Sequence, residues 1–245
     1  DCLLSRGLGD VYKRQVDKVL VGGTESGTTS MTIGAFAQIK ALSKQNDEPQ
    51  KACKPFDKNR DGFVMAEGST VLILESESSA KDRDAKIYGY ISGYGSSTDA
   101  YHITAPSEGG VGALRAMEQA ISNADISKEK IDYINAHGTS TPANDLNETL
   151  AIKSLMNDYA YEVNISSTKS MTGHLLGGGG AFEAMASLLS MKNNQIPPTI
   201  NLNDSDEDCD LNYTANHSVD KNIDHVMSNS FGFGGHNAVL IFSKQ

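Results

Sequence analysis

The feature that most constrains this chain is the alternation of strand-length apolar runs with longer, helix-spaced segments. STVLILES (69–76) and KIYGYISGYGSS (86–97) read as strands, and IDYINAHGTST (131–141) and VNISSTKSMTGH (163–174) as strands running into loops. So do the two halves of HVMSNSFGFGGHNAVLIF (225–242), joined by a Gly/Phe turn as a hairpin. VDKVLVGG (16–23) is a further strand running into a glycine turn. Between them, GVGALRAMEQAISNADI (110–126) sets Val111, Leu114, Met117 and Ile121 at helical spacing. NDLNETLAIKSLM (144–156) opens with acids where a helix dipole favours them, and LLGGGGAFEAMASLLSMKNN (175–194) is a helix with a glycine-rich start. MTIGAFAQIKALS (31–43) predicts a helix with Ile33, Phe36 and Ile39 on one face. Polar stretches 44–62 and 203–210 read as solvated surface loops, and QIPPTINL as an extended, proline-ruled segment. Strands alternating with helices argue for a layered α/β fold.

Charge narrows the function. Acids outnumber bases 31 to 21 in 245 residues, a net charge of −10, which argues against a nucleic-acid or anionic-membrane binder. No apolar run reaches the roughly 18 residues a spanning helix needs. Cys2, Cys53 and Cys209 form no CxxC and no Cys/His cluster, so they predict reduced thiols of a cytoplasmic protein rather than a disulfide framework or a metal site. Cys53 and Cys209 fall in stretches read as surface loops. Residues 1–15, DCLLSRGLGDVYKRQ, have neither an apolar signal core nor transit-peptide character, and resemble a translated adapter scar outside the fold.

Two histidines stand where α/β folds place their chemistry, in loops that follow apolar strands: His137, followed by small hydroxyl residues, and His174. Each reads either as a satisfied polar residue or as a neutral N–H donor to a developing oxyanion. Lys169 is a solvated charge or, if buried, must pair with an acid, for which Asp145 and Glu148 are available. Glu183 has apolar neighbours on its helix. Gly177–Gly180 match no phosphate-binding fingerprint and read as close packing at a helix start. Phe231–Gly235 is either a plain hairpin turn or one that swings an aromatic against a ligand. No GxSxG or HExxH occurs, which leaves little for a serine hydrolase or metalloprotease.

NAHGTSTPANDLNE, SSTKSMTGHLLGGGGAFEA, IPPTINL, NSFGFGGHNAVLIF, RDGFVMAEGSTVLILE and AYHITAP together resemble the β-ketoacyl-acyl-carrier-protein synthases, most of all their elongating synthase II branch. The resemblance runs from about Val16 to the C-terminus. It implies a thiolase-like fold of α-β-α-β-α layers, with 16–85 ending the N-terminal half and 86–245 forming the C-terminal half, in an enzyme that is usually a homodimer. It implies decarboxylative condensation of a malonyl group on acyl carrier protein with an enzyme-bound acyl group, in fatty acid elongation, with no cofactor or metal beyond the carrier's phosphopantetheine. His137 and His174 match the catalytic histidines, and Lys169 the family lysine, expected to pair with Glu148. Thr139 and Thr141, with Thr104 beside them, match contacts to the phosphopantetheine arm. Phe233 matches the gating phenylalanine, whose N–H would be half of an oxyanion hole; Phe36 matches a wall of the acyl pocket, and Lys40 a base that meets the acidic carrier. Residues 40–60 carry six basic and three acidic side chains, against the overall balance. Asp145 and Glu148 are supporting acids, as is Glu183, whose implied neighbours are Asn135, Ser228 and Asn229.

By the family pattern, the nucleophilic cysteine lies about 25 residues before Gly22–Gly23, at the start of a helix whose dipole lowers its pKa. That places it just outside residue 1, so the chain is expected to be a fragment of a longer parent and inactive alone. The alternatives are a non-catalytic partner like a chain-length factor, or a polyketide ketosynthase. Retained histidines and lysine favour the enzyme, since a pseudo-enzyme has no chemical need for them.

Overall fold

A computed structural model describes residues 16–244. Its centre is a five-stranded sheet in the order β3–β9–β8–β4–β5, formed by Tyr90–Thr98, His236–Ser243, His225–Gly232, Tyr133–Asn135 and Asn164–Ser166 respectively. The β8–β9 hairpin and β3 are antiparallel, while β4 runs parallel to both β8 and β5. The three parallel strands are buried on both faces, as their apolar runs require.

Strand periodicity assigns the two faces. Ile134, Met227, Val239 and Ile241 point one way, onto Ala113, Ala116, Met117 and Ala120 of α3 (Val111–Ala124) and onto α4 (Pro142–Met156). Tyr133, Val226, Leu240 and Phe242 point the other way, onto Ala184 and Met191 of α6 (Gly179–Asn193). Small residues let α3 lie close on β3. A Cβ at Gly95 would fall inside the Ala116 carbonyl. On its far side α6 meets a second, two-stranded antiparallel sheet of β1 (Lys18–Glu25) and β2 (Gly68–Glu75). Val19, Val21, Leu72 and Leu74 face α6, whereas Leu20, Val71 and Ile73 on the opposite face are 63–71% exposed. A short α2 (Glu77–Asp82) follows β2, and β6 (Gln195–Ile196) pairs with β7 (Val219–Asp220). The expected layering is thus present as helix, sheet, helix, sheet among the described residues. The 1–15 segment lies outside them.

Two expectations are corrected. The helix expected over 31–43 is α1, Ser30–Gln38; it ends in a turn with Lys40 at φ 57°, and Ile33 and Ile39 are exposed, leaving only Phe36 half-buried. Residues 44–51 are largely exposed as expected, but most of the stretch 52–62 is not solvated. Ala52, Cys53, Phe56, Asp57 and Arg60 are buried, and the Phe56 ring stacks on Tyr213 at 3.9 Å. Its polar groups can leave water because they find partners elsewhere. The Asp57 carboxylate, for instance, accepts the N–H groups of Asn203 and Asp204, both at 2.9 Å. This bond also draws in the acidic loop, where Cys209 is buried as well.

A Gly95→Val substitution should push α3 off the sheet and cost about 1–3 kcal/mol. Urea unfolding of the full-length parent would show it as a lowered midpoint; an unchanged midpoint would mean that α3 does not need this close approach.

Candidate active site

Because β4 and β5 are parallel neighbours, the segments leaving them emerge at the same edge of the sheet. The first carries His137. The second runs through Ser166–Thr168 into α5 (Lys169–Thr172) and reaches His174 after Gly173. The rings of His137 and His174 meet edge to face, with centroids 5.3 Å apart, and both line one cavity of about 1410 Å³ with Lys169, Glu183, Thr139 and Thr141.

The His137 loop is held by its main chain. The N–H groups of His137 and Gly138 donate to the two oxygens of Glu148, each at 2.8 Å, and that of Thr139 to Asp145 at 3.0 Å. Both acids are buried in α4, in its first two turns, three residues apart and so on one face. Ser167 Oγ adds a bond to the Gly138 carbonyl at 2.6 Å, joining the two loops. His174 is fixed from the other side: its N–H donates to Val64 O at 2.7 Å, and the Leu176 N–H donates to its Nδ1 at 3.1 Å. An accepting Nδ1 leaves the proton of a neutral ring on Nε2.

Electrostatics keep both rings neutral. Burial, then the nearby Lys169 charge, pulls His174 down to about 3. Burial, Lys169 and His174 hold His137 well below the ordinary imidazole range. Each ring therefore presents one N–H as a donor at neutral pH. Burial pushes Glu148 up to about 7, opposed by the Gly138, Asn229 and His137 donors.

The expected pairing of Lys169 is overturned. Its ammonium contacts Glu183, with both side chains at most 3% exposed, and not Glu148 or Asp145. Glu148 is instead taken up by the backbone of residues 137 and 138 and by Asn229 Nδ2 at 3.1 Å, while Asp145 faces Arg60. Of the neighbours expected for Glu183, Asn135 bonds its carbonyl at 3.3 Å and Ser228 lines the same cavity, but Asn229 belongs to Glu148. Sequence spacing could not separate three acids on two helices; the α6 register decides it.

Most of the remaining expected residues line the same cavity. Thr139 and Thr141 hydroxyls lie 2.9 Å apart, and Thr104 and Lys40 line the same cavity. Phe36 does not line it directly. Its ring stacks on Phe233 at 6.1 Å and meets Phe63 edge-on at 5.5 Å, and Phe63 in turn packs edge-on against His174 at 5.2 Å. Phe63 was missed by sequence reasoning, although an apolar residue after Arg-Asp-Gly was its signal. Phe233 sits 44% exposed in the β8–β9 turn. Cys53 and Cys209, expected in surface loops, are buried, and burial pushes their thiols up to about 12 and about 11. Neither is a thiolate at neutral pH.

Comparison with known proteins agrees with this geometry. Residues 88–203 match the family model described as beta-ketoacyl synthase, C-terminal domain, and residues 4–80 that of the N-terminal domain. The chain is 50% identical over 244 residues to the 3-oxoacyl-[acyl-carrier-protein] synthase 2 of Synechocystis, covering 98% of this chain and 59% of that protein. It is 50% identical over 234 residues to the synthase of the same name from Coxiella burnetii, covering 96% and 56%. A type II PKS acyl-carrier protein in complex with its ketosynthase superposes with a TM-score of 0.97 at 38% identity, covering 99% of this chain and 60% of the other. A beta-ketoacyl synthase from Burkholderia phymatum gives 0.94 at 36%, covering 99% and 58%. The chain thus spans under two thirds of the length of the relatives it matches.

Removing one partner of the buried ion pair should be costly. Lys169→Met leaves Glu183 as an uncompensated charge and should cost about 3–5 kcal/mol, while the double variant with Glu183→Gln should recover much of that loss. A double-mutant cycle in urea that gives additive costs would show the pair to be uncoupled. For Glu148, the folded pKa exceeds the ordinary 4.5, so folding takes up a proton between the two values. That contribution is fully present below about pH 4.5 and is lost as pH rises through about 7. Glu148→Gln should therefore flatten the fall in unfolding midpoint between pH 5 and pH 8, a slope worth about 3 kcal/mol in wild type.

Proposed function

Because this chain belongs to the beta-ketoacyl synthase family, we propose that its full-length parent condenses an enzyme-bound acyl group with malonyl-acyl-carrier protein, giving the 3-oxoacyl-carrier protein of fatty acid elongation. The observation that carries this reading is the pair of neutral imidazoles 5.3 Å apart in one cavity. When the malonyl carboxylate leaves as CO₂, the electron pair of the broken C–C bond passes into the thioester and charge builds on its oxygen. Two N–H donors fixed beforehand stabilise that enolate without reorganising, and a single such donor is worth about 2.7–4 kcal/mol. The enolate carbon then attacks the acyl thioester, forming the new C–C bond and expelling the enzyme's thiolate.

Lys169 serves this scheme by its field. Burial keeps both rings unprotonated, and the nearby Lys169 charge adds to that, so they stay single-proton donors rather than cations. The nucleophilic thiolate would come from outside the described residues, since Cys53 and Cys209 are buried thiols. Thr139, Thr141 and Thr104 would bond the phosphopantetheine arm, Phe233 would gate the cavity with Phe36 stacked behind it, and Lys40 would meet the acidic carrier protein. The reaction as written needs no other cofactor or metal. A homodimer in the cytoplasm completes the proposal.

A chain-length-factor-like partner has no use for two histidines and a lysine in this geometry. A polyketide ketosynthase uses the same chemistry, and the likeness to the polyketide complex keeps it as the second reading. Product analysis separates the two, since elongation with a reducing system yields saturated acyl chains.

In the purified parent, His137→Ala and His174→Ala should each lower the condensation rate about 10²–10³-fold. Wild-type turnover in either variant would refute the role given to that ring.

A further inference from the structure

Asp145 is fully buried in the first turn of α4, and its two oxygens serve different parts of the chain. Oδ1 accepts the Thr139 N–H at 3.0 Å and Asn144 Nδ2 at 3.1 Å; Oδ2 accepts the Phe56 N–H at 2.9 Å. One carboxylate thus ties the histidine loop to the buried stretch that leads into β2. Among the described residues, the cation within ion-pair distance of it is Arg60, with Nε 3.6 Å from Oδ2 and a side chain 6% exposed.

Arg60 is itself fixed on its far edge. Nη1 donates to Asp206 Oδ2 at 2.5 Å and to the Asp57 carbonyl at 2.8 Å, and Nη2 reaches the Pro142 carbonyl at 3.4 Å, at the start of α4. The guanidinium is therefore braced by three segments, and its Nε, buried without a hydrogen-bond partner, is the edge turned to Asp145. The same stretch holds Ser140, at φ 68°, through Gly62 N–H to its carbonyl and Lys54 N–H to its hydroxyl, both at 3.0 Å. A non-glycine residue there needs such outside ties.

We propose that Arg60 is a positioning residue for the substrate-arm end of the site: by countering the Asp145 charge it keeps that carboxylate on the Thr139 N–H, and so fixes the Thr139–Thr141 hydroxyl pair. This rests on the reading of those hydroxyls given above. Without Arg60, Asp145 would be a buried, uncompensated charge and would take up a proton at higher pH, turning one acceptor oxygen into a donor. Burial already pushes its pKa up, and Phe56, Arg60, Asn144 and Thr139 oppose that rise. The other ionisable groups facing it are Glu148 on its own helix, Cys53 on the buried stretch, and Cys209 and Tyr213 from the segment after α6, with Asp206 behind Arg60. None of them supplies a positive charge.

The test compares Arg60→Gln, Arg60→Lys and Asp206→Asn in the full-length parent, by amide exchange read by mass spectrometry and by condensation kinetics from pH 5 to 9. In Arg60→Gln, exchange over 137–141 should quicken about 10-fold, the KM for the malonyl carrier substrate should rise about 10-fold with kcat little changed, and the acid limb of activity should move to higher pH. Arg60→Lys, which keeps the charge, should restore both the acid limb and most of the exchange protection over 137–141, and Asp206→Asn should leave the limb in place. Wild-type exchange over 137–141 in a folded Arg60→Gln protein would overturn the proposal, as would an equal movement of the limb in Asp206→Asn. If Arg60→Gln does not fold, exchange over 137–141 that is raised in Arg60→Lys at every pH from 5 to 9 would overturn it instead, since the charge is kept there. Should the wild-type parent show no condensation, the functional reading fails, and the exchange comparison still decides what Arg60 does.

Discussion

Three consecutive main-chain N–H groups, those of residues 137, 138 and 139, point away from any strand partner at the end of β4, and the rest of the site depends on how they are satisfied. Glu148 and Asp145, one turn apart in α4, take all three. A carboxylate can bind such donors strongly only where water does not compete, which is why the two acids are buried at a position where burial alone would disfavour their charge. The three amides are thereby satisfied without a side chain of the loop being spent on them, and His137, Thr139 and Thr141 still line the cavity.

The charge pattern follows the same logic. Within a few ångströms the protein buries three acids and one lysine around two imidazoles. Each acid has an assigned counterpart: Glu183 the ammonium, Asp145 the guanidinium of Arg60, Glu148 a set of amide donors. Burial of the two rings selects the neutral imidazole, and the field of Lys169 reinforces that choice. A preorganised pair of neutral donors is the arrangement that an enolate oxygen rewards, since no proton has to move before the charge appears.

Much of this was legible from residue order. The alternation of apolar runs gave the layered α/β architecture, and strand parity sorted the two cores, because Ile134 and Tyr133 must face opposite ways once both faces of β4 are covered. His137 and His174 were visible as loop residues after strands, and their meeting follows from the parallel pairing of β4 and β5. Partner choice among the acids was not legible. Glu148 and Glu183 are both plausible mates for Lys169 along the chain, and only the rotation of α6 brings Glu183 to it. Nor was the burial of 52–62 legible: a stretch with Lys, Asp, Asn and Arg scores as wet unless the distant acceptors and donors, such as the amides at 203 and 204, are known. The half-exposed state of α1 was equally hidden, since its apolar spacing is that of a packed helix.

The bond from Leu176 to His174 bears on which substitutions the site tolerates. The ring's tautomer is dictated by a peptide amide, so it does not depend on which side chain stands at 176. Leu176 also sits at φ 46°, where glycine would be at ease and a branched residue strained. Proline there would remove the bond itself, since it has no amide hydrogen and cannot take that backbone angle; it would unset the imidazole while leaving every side chain of the site in place.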